Sequence, residues 1–142
     1  GLAHLSFPHA TYFVNEKELD FALHAGNASY DADRLSLLED NDNVKLVEDH
    51  GMISGYIQHE LSGGHSPFHQ VFWIREDDEV VFFGGDEAPQ LQQMKTRFVA
   101  KYDHDGKKAM ELRQKWWEIA VEGHWKFLFY HDIKTPVYAA SE

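Results

Sequence analysis

The apolar positions of the chain change period several times, and each change predicts an element. Ala10-Thr11-Tyr12-Phe13-Val14 is β-branched and aromatic and reads as a short strand, followed by Asn15 as a helix N-cap with Glu18 as the capping-box acid. A helix is therefore expected over roughly residues 15–25, ending near Gly26. The spacing of Leu35 and Leu38 predicts a second helix from Asp31 to Glu39, closed by the polar run Asp40-Asn41-Asp42-Asn43. Val44 to Val47 reads as a brief strand.

From Gly55 the period falls to two, with Ile57, His59 and Leu61 on one side and Tyr56, Gln58 and Glu60 on the other, the mark of a half-buried strand. The Gly-rich stretch Ser62-Gly63-Gly64-His65-Ser66-Pro67 breaks it. Gln70 to Ile74 resumes as a strand, and the acidic tip Glu76-Asp77-Asp78-Glu79 turns the chain into Val80-Val81-Phe82-Phe83, so that a hairpin ends at Gly84-Gly85-Asp86. Beyond Asp103 a long helix is expected, ending at Gly123. Ala109, Leu112, Trp116 and Ile119 recur at helical spacing, with Lys107, Lys108, Glu111, Lys115 and Glu118 outward. Lys126 to Tyr130 reads as a short buried strand delivering His131-Asp132, and Thr135 to Ala139 as an edge strand. The order strand, helix, hairpin, helix, strand predicts an α/β (α+β) sandwich piece, a mixed sheet with packed helices.

Composition narrows the chemistry. A chain of 142 residues, 43% hydrophobic and 14% aromatic, can build a real core, and one domain or part of a larger one is expected. Thirteen Lys and Arg against 24 Asp and Glu give a formal charge of −11, which repels phosphate backbones and anionic bilayers, so neither nucleic acid nor a membrane is an expected partner. No window approaches the roughly 18 apolar residues of a membrane span, and a cytoplasmic protein is the expectation. With no Cys in the chain, disulfides and thiolate ligands are excluded, so any metal site must use His and carboxylates.

Three such residues stand at strand ends: His65 in the Gly-rich loop, Asp86 after Phe82-Phe83-Gly84-Gly85, and His131 after Phe127 to Tyr130. Loops at strand ends can bring ligands to one sheet edge, and imidazole with carboxylate suits zinc or iron. Seven of the remaining eight histidines, His4, His9, His24, His50, His59, His104 and His124, read as surface or satisfied core residues. Tyr102-Asp103-His104-Asp105-Gly106 is no calcium loop, since Gln114 stands where its twelfth-position acid belongs; Asp103 or Asp105 is instead expected to cap the long helix.

Gly64-His65-Ser66-Pro67-Phe68-His69, Gly85-Asp86 and Phe129-Tyr130-His131-Asp132, in this order, resemble the later motifs of the metallo-β-lactamase superfamily, over roughly Phe7 to Ala139. The lack of a Cys where Asp86 stands directs the resemblance to the glyoxalase II and lactonase-like branch rather than to true β-lactamases. Phe68 departs from the family's usual Gly. The resemblance implies half of an αββα sandwich holding two divalent metal ions, zinc with iron or manganese as alternatives. It gives His65, Asp86 and His131 as ligands, and makes Asp86 the catalytic residue that bridges the ions. His69 and Asp132 are expected to support the ligands from behind, Asp132 by orienting an imidazole. The reaction implied is attack of a metal-activated hydroxide on an ester, lactone or thioester of a small-molecule substrate.

The family's first ligand motif, His-x-His-x-Asp-His, does not occur in these residues. Residues 1–142 therefore resemble the C-terminal part of one such domain, with Gly1-Leu2 falling shortly after the missing motif, and an N-terminal companion chain is an expected partner. The alternative is an inactive fragment or an interaction subunit, self-associating on its own. A flavodiiron-like redox role shares the scaffold, but no flavin-binding segment is visible.

Overall fold

Asn15 ends the first strand and starts the first helix. Its side chain accepts from the Glu18 amide at 2.9 Å, so β1 (Tyr12–Asn15) passes directly into α1 (Glu16–His24). The Glu18 carboxylate accepts the Tyr30 hydroxyl at 2.6 Å. The computed structural model describes residues 4–26 and 29–141; Gly1 and Leu2, on which part of the family resemblance falls, lie outside them. Packing divides the chain into two units, Gly1–Glu48 and Asp49–Glu142.

In the first unit β1 pairs in parallel with β2 (Val44–Val47), Tyr12 opposite Val44. The helix expected from Asp31 to Glu39 is shorter. Asp31 caps α2 (Ala32–Leu35), and the chain then tightens into a 3₁₀ turn over Ser36–Leu38, where the Ser36 hydroxyl bonds the Asp33 carbonyl at 2.8 Å and draws the backbone out of helical spacing.

In the second unit β3 (His50–Ile53), β4 (Ile57–Leu61), β5 (Gln70–Glu76), β6 (Glu79–Phe83), β7 (Lys126–Leu128) and β8 (Val137–Ala139) form one sheet in that order. All neighbours are antiparallel except β6 and β7, which run parallel. The mixed sheet with packed helices is the expected one, and the acidic tip makes the β5–β6 turn, with Glu76 opposite Glu79. Two elements went unexpected, β3 and the short helix α3 (Leu91–Lys95), because neither has a clean apolar period. β3 carries Gly51 opposite His59, where a Cβ would come within 2.8 Å of the His59 ring.

The long helix, α4 (Gly106–Gly123), ends where expected, with His124 at a left-handed φ of 52° and its amide on the Ala120 carbonyl. Its buried stripe differs by one position from the expected one. Ala109, Arg113, Trp116 and Ala120 face inward, while Ile119 is 41% exposed. Arg113, only 1% exposed, is tolerated because its guanidinium donates to the Glu87 carbonyl at 2.8 Å and the Phe98 carbonyl at 2.6 Å. Burial still pulls its pKa down, and the charges of Asp103 and Glu87 oppose that. Against this stripe pack Val71 and Trp73 of β5, Phe82 of β6 and Phe127 of β7. The Phe82 ring lies 4.9 Å from Trp116 and 5.2 Å from Trp73. Among the described residues no helix is long and apolar enough to cross a membrane.

His59, 3% exposed, faces Gly51 and accepts at Nδ1 from the Gln70 amide at 3.1 Å. Burial first, and then the neighbouring His50, hold its pKa below the ordinary 6.5. Protons therefore bind the unfolded chain more readily than the folded one, so the neutral ring's contribution is complete above pH 6.5 and is lost as pH falls below it. Chemical denaturation between about pH 7.5 and 5 is expected to show stability falling on the acid side. The fall should be shallower in His59→Phe than in the unsubstituted chain; equal slopes would show that His59 does not carry it.

Candidate functional site

β4, β6 and β7 run in one direction: β4 and β6 are both antiparallel to β5, and β7 is parallel to β6. Their C-terminal ends therefore share one edge of the sheet. His65 lies in the loop after β4, Asp86 in a 3₁₀ turn (Gly85–Glu87) just after β6, and His131 three residues beyond β7. Gly85 opens that turn at a φ of +52°, and a Cβ there would come within 3.0 Å of the His69 ring.

The three residues meet at Asp86. Its Oδ2 lies 3.5 Å from His65 Nε2, and its Oδ1 lies 3.2 Å from His131 Nε2. One carboxylate thus presents a separate oxygen to each of two imidazoles. Asp86 Oδ1 also accepts the Tyr130 hydroxyl. Burial, and then that bond to Asp86, raises the Tyr130 pKa well above the usual range, so the phenol stays protonated and remains a donor.

The His65 imidazole is held from behind. His65 Nδ1 lies 3.0 Å from Oδ1 of Asp103, whose side chain is 3% exposed; donation from Nδ1–H to that carboxylate turns Nε2 toward Asp86. The backbone repeats the attachment, with the His104 amide on the His65 carbonyl at 3.0 Å and the Asp105 amide on the Gly64 carbonyl at 2.8 Å. The two aspartates expected as alternative caps of the long helix thus divide the work. Asp105 is the N-cap, accepting from the Lys108 amide at 3.0 Å, and Asp103 serves His65.

His131 is tied through its main chain, since the Gln90 side-chain amide donates to its carbonyl at 3.1 Å. Asp132, expected to orient an imidazole, does something else. Its carboxylate accepts the amides of Leu91 at 3.1 Å, Thr135 at 2.9 Å and Lys134 at 3.2 Å, because it lies against the first turn of α3 and curls its own loop. The Leu91 amide, followed by that of Thr135, lowers its pKa. His69 sits behind the centre, its ring edge-on to His65 at 5.8 Å and its Nδ1 3.0 Å from the Ser62 hydroxyl.

Sequence reasoning missed Asp103, Glu87 and the role of Tyr130. Only Glu87 had a local signal, a charged residue between Gly-Gly-Asp and the apolar Ala88-Pro89. The donor types fit a hard or borderline divalent metal, with one oriented Nε2 and a carboxylate facing both imidazoles. Yet among the described residues no group of three or more His, Cys, Asp or Glu is assembled to hold a metal ion. Both observations describe the same place: the candidate ligands converge on Asp86 without forming such a group. Beside them opens a cleft of about 330 Å³ lined by Asp86, Pro89, Gln90, Gln93, Tyr102 and His131.

This mixed sheet, with its helices and its side chains gathered at the ends of co-directional strands, has the fold of about half of a metallo-β-lactamase-like protein, as expected from the sequence. A probable metal-dependent hydrolase from Staphylococcus aureus superposes on 98% of the chain with a TM-score of 0.84 at 23% identity, the match covering 50% of that protein. AidC, a dizinc quorum-quenching lactonase solved with its product, matches 98% of the chain and 53% of its own length, with a TM-score of 0.77 and 16% identity. The hydrolase AbOPH of the β-lactamase superfamily matches 96% of the chain and 52% of its own, with a TM-score of 0.77 and 20% identity. The chain therefore spans about half the length of these proteins. No protein-family model matches the sequence, and no curated protein does.

If Asp103 fixes the His65 tautomer, Asp103→Ala should weaken zinc binding by about 10–100-fold relative to the unsubstituted chain, as measured by calorimetric titration. The α4 cap should be unaffected, because Asp105 provides it. Undiminished zinc affinity in the variant would remove Asp103 from the centre.

Proposed function

We propose that His65, Asp86 and His131 form part of the centre of a metal-dependent hydrolase that holds two divalent ions, zinc by preference. The observation that carries this reading is the Asp86 carboxylate set between two imidazoles, with one oxygen toward each. His65 and His131, each through Nε2, and Asp86, through its two carboxylate oxygens, would hold the ions. Divalent ions held there supply Lewis-acid polarisation of a carbonyl and an acidified water as nucleophile. Asp103 holds the His65 imidazole correctly turned through Nδ1, and the Tyr130 hydroxyl steadies the carboxylate of Asp86. His131, its side chain 56% exposed, opens onto the cleft, where the carboxamides of Gln90 and Gln93 and the Tyr102 ring can receive a small polar ester.

A lactone is the preferred substrate class. The lactonase AidC supports it by its likeness in fold, and the absence of a thiolate ligand sets the centre apart from that of a zinc β-lactamase. Three protein ligands cannot satisfy two ions of about four to five coordination positions each, so the remaining ligands would come from a His-x-His-x-Asp-His segment outside residues 1–142, supplied by an N-terminal companion. The second reading is an interaction subunit that is not catalytic by itself. It is favoured by the absence, among the described residues, of an assembled group of three metal ligands.

The test is co-expression of the chain with a segment carrying that motif, followed by metal analysis and assay against lactones, thioesters, phosphodiesters and β-lactams. Turnover of lactones with about two metal ions per complex is expected, and Asp86→Ala should lower it by at least about a thousandfold. Turnover confined to phosphodiesters would overturn the substrate class. A metal-free complex without turnover would favour the interaction subunit.

A further inference from the structure

Directly after Asp86, Glu87 turns inward and is 0% exposed. Its Oε2 receives three donors: the Ser62 hydroxyl at 2.5 Å, the Gly64 amide at 3.0 Å and the His65 amide at 3.2 Å. Ser62 has one proton, and the bond to Glu87 uses it. The 3.0 Å approach of His69 Nδ1 to the Ser62 oxygen is then a donation from the imidazole. A single carboxylate thereby gathers the whole loop from β4 to β5: Ser62 at its start, Gly64 and His65 at its middle, and His69 at its close through Ser62.

Glu87 belongs to the same 3₁₀ turn as Asp86, so the turn that presents Asp86 also grips the loop that presents His65. The fit is tight. A Cβ at Gly64 would collide with Glu87 Oε1 and come within 2.9 Å of the Ala109 Cβ, so only glycine lets the loop settle between Glu87 and α4. From the other side Arg113 of α4 donates to the Glu87 carbonyl at 2.8 Å and pins the turn to the helix.

We propose that Glu87 is a positioning residue, whose buried carboxylate fastens the His65 loop to the Asp86 turn, sets the spacing of these two side chains, and through it the metal affinity of the centre. The affinity half of this proposal rests on the metal reading given above; the fastening half does not. A carboxylate suits the task because three donors converge on one oxygen, and an ionised acceptor holds them more strongly than a carboxamide. A glutamine would have to turn its own oxygen to the same three donors with no charge behind it. An aspartate would fall one methylene short.

The experiment uses Glu87→Gln and Glu87→Asp in the full chain, with amide hydrogen exchange read by NMR and cobalt(II) titration read by its absorption spectrum. In Glu87→Gln, exchange at Gly64 and His65 is expected to accelerate at least about tenfold, while the Trp125 amide, bonded to the Ala120 carbonyl at 2.9 Å in the core, stays protected. Cobalt affinity should fall by about 10–100-fold in step with that exchange. Unchanged exchange at Gly64 and His65 would overturn the proposal, as would equal acceleration at Trp125, which would make Glu87 a residue of general stability. Unchanged cobalt affinity despite loosened amides would overturn the affinity half. If the chain co-expressed with the segment carrying the His-x-His-x-Asp-His motif binds no cobalt while the two amides still loosen in the variants, the fastening role stands and the metal reading fails.

Discussion

Two charged side chains are buried under the functional end of the sheet, and the rest of that end is arranged around satisfying them. Taking an ion out of water costs several kcal/mol even after relaxation, so neither Arg113 nor Glu87 can be buried without specific partners. Arg113 spends its terminal nitrogens on the carbonyls of Glu87 and Phe98, while Glu87 gathers a hydroxyl and two amides on one oxygen. The compensation is incomplete, since Arg113 Nε and Glu87 Oε1 make no hydrogen bond. Their bonds reach α4, the segment before it, the turn after β6 and the loop after β4. A shift in any one of these would leave a buried charge less satisfied, which is why the strand ends are held in a fixed relation.

The candidate ligands are supported by unlike means. His65 is held by a side chain and by main-chain bonds from the segment entering α4, so both its tautomer and its orientation are set. His131 is held from behind through its backbone, by Gln90 and by the loop that Asp132 curls against α3, while its ring meets Asp86 and Tyr130 and remains accessible from the cleft. Asp86, between them, takes its place from a turn that requires a left-handed Gly85. A rigid residue on one side and an accessible one on the other would suit the proposed metal centre, which has to hold its ions and still admit a substrate.

Much of this was legible in the sequence. α4 announces itself by apolar spacing and by Gly123 at its end, the β5–β6 hairpin by its acidic tip, and α1 by Asn15, because caps, turns and periodicity are local effects carried by neighbouring residues. The convergence of His65, Asp86 and His131 was legible only in part: each follows a readable strand, but their selection rested on the resemblance of their motifs to a known family.

What the tertiary structure alone decided is which polar groups are buried together. Periodicity put Ile119 inward and said nothing of Arg113, but the helix turns the other way because the carbonyls of Glu87 and Phe98 wait at Arg113, and those carbonyls lie 26 and 15 residues away in the chain. Asp103 and Asp105 were equal candidates for one cap until the fold brought His65, 38 residues distant, against the first of them. Asp132 adjoins a candidate ligand in sequence yet serves α3, a helix with no apolar period to announce it. Hydrophobic pattern encodes where a side chain lies relative to its own helix or strand; the partner of a buried charge is fixed only when distant segments pack, because the satisfaction that makes its burial tolerable comes from those segments.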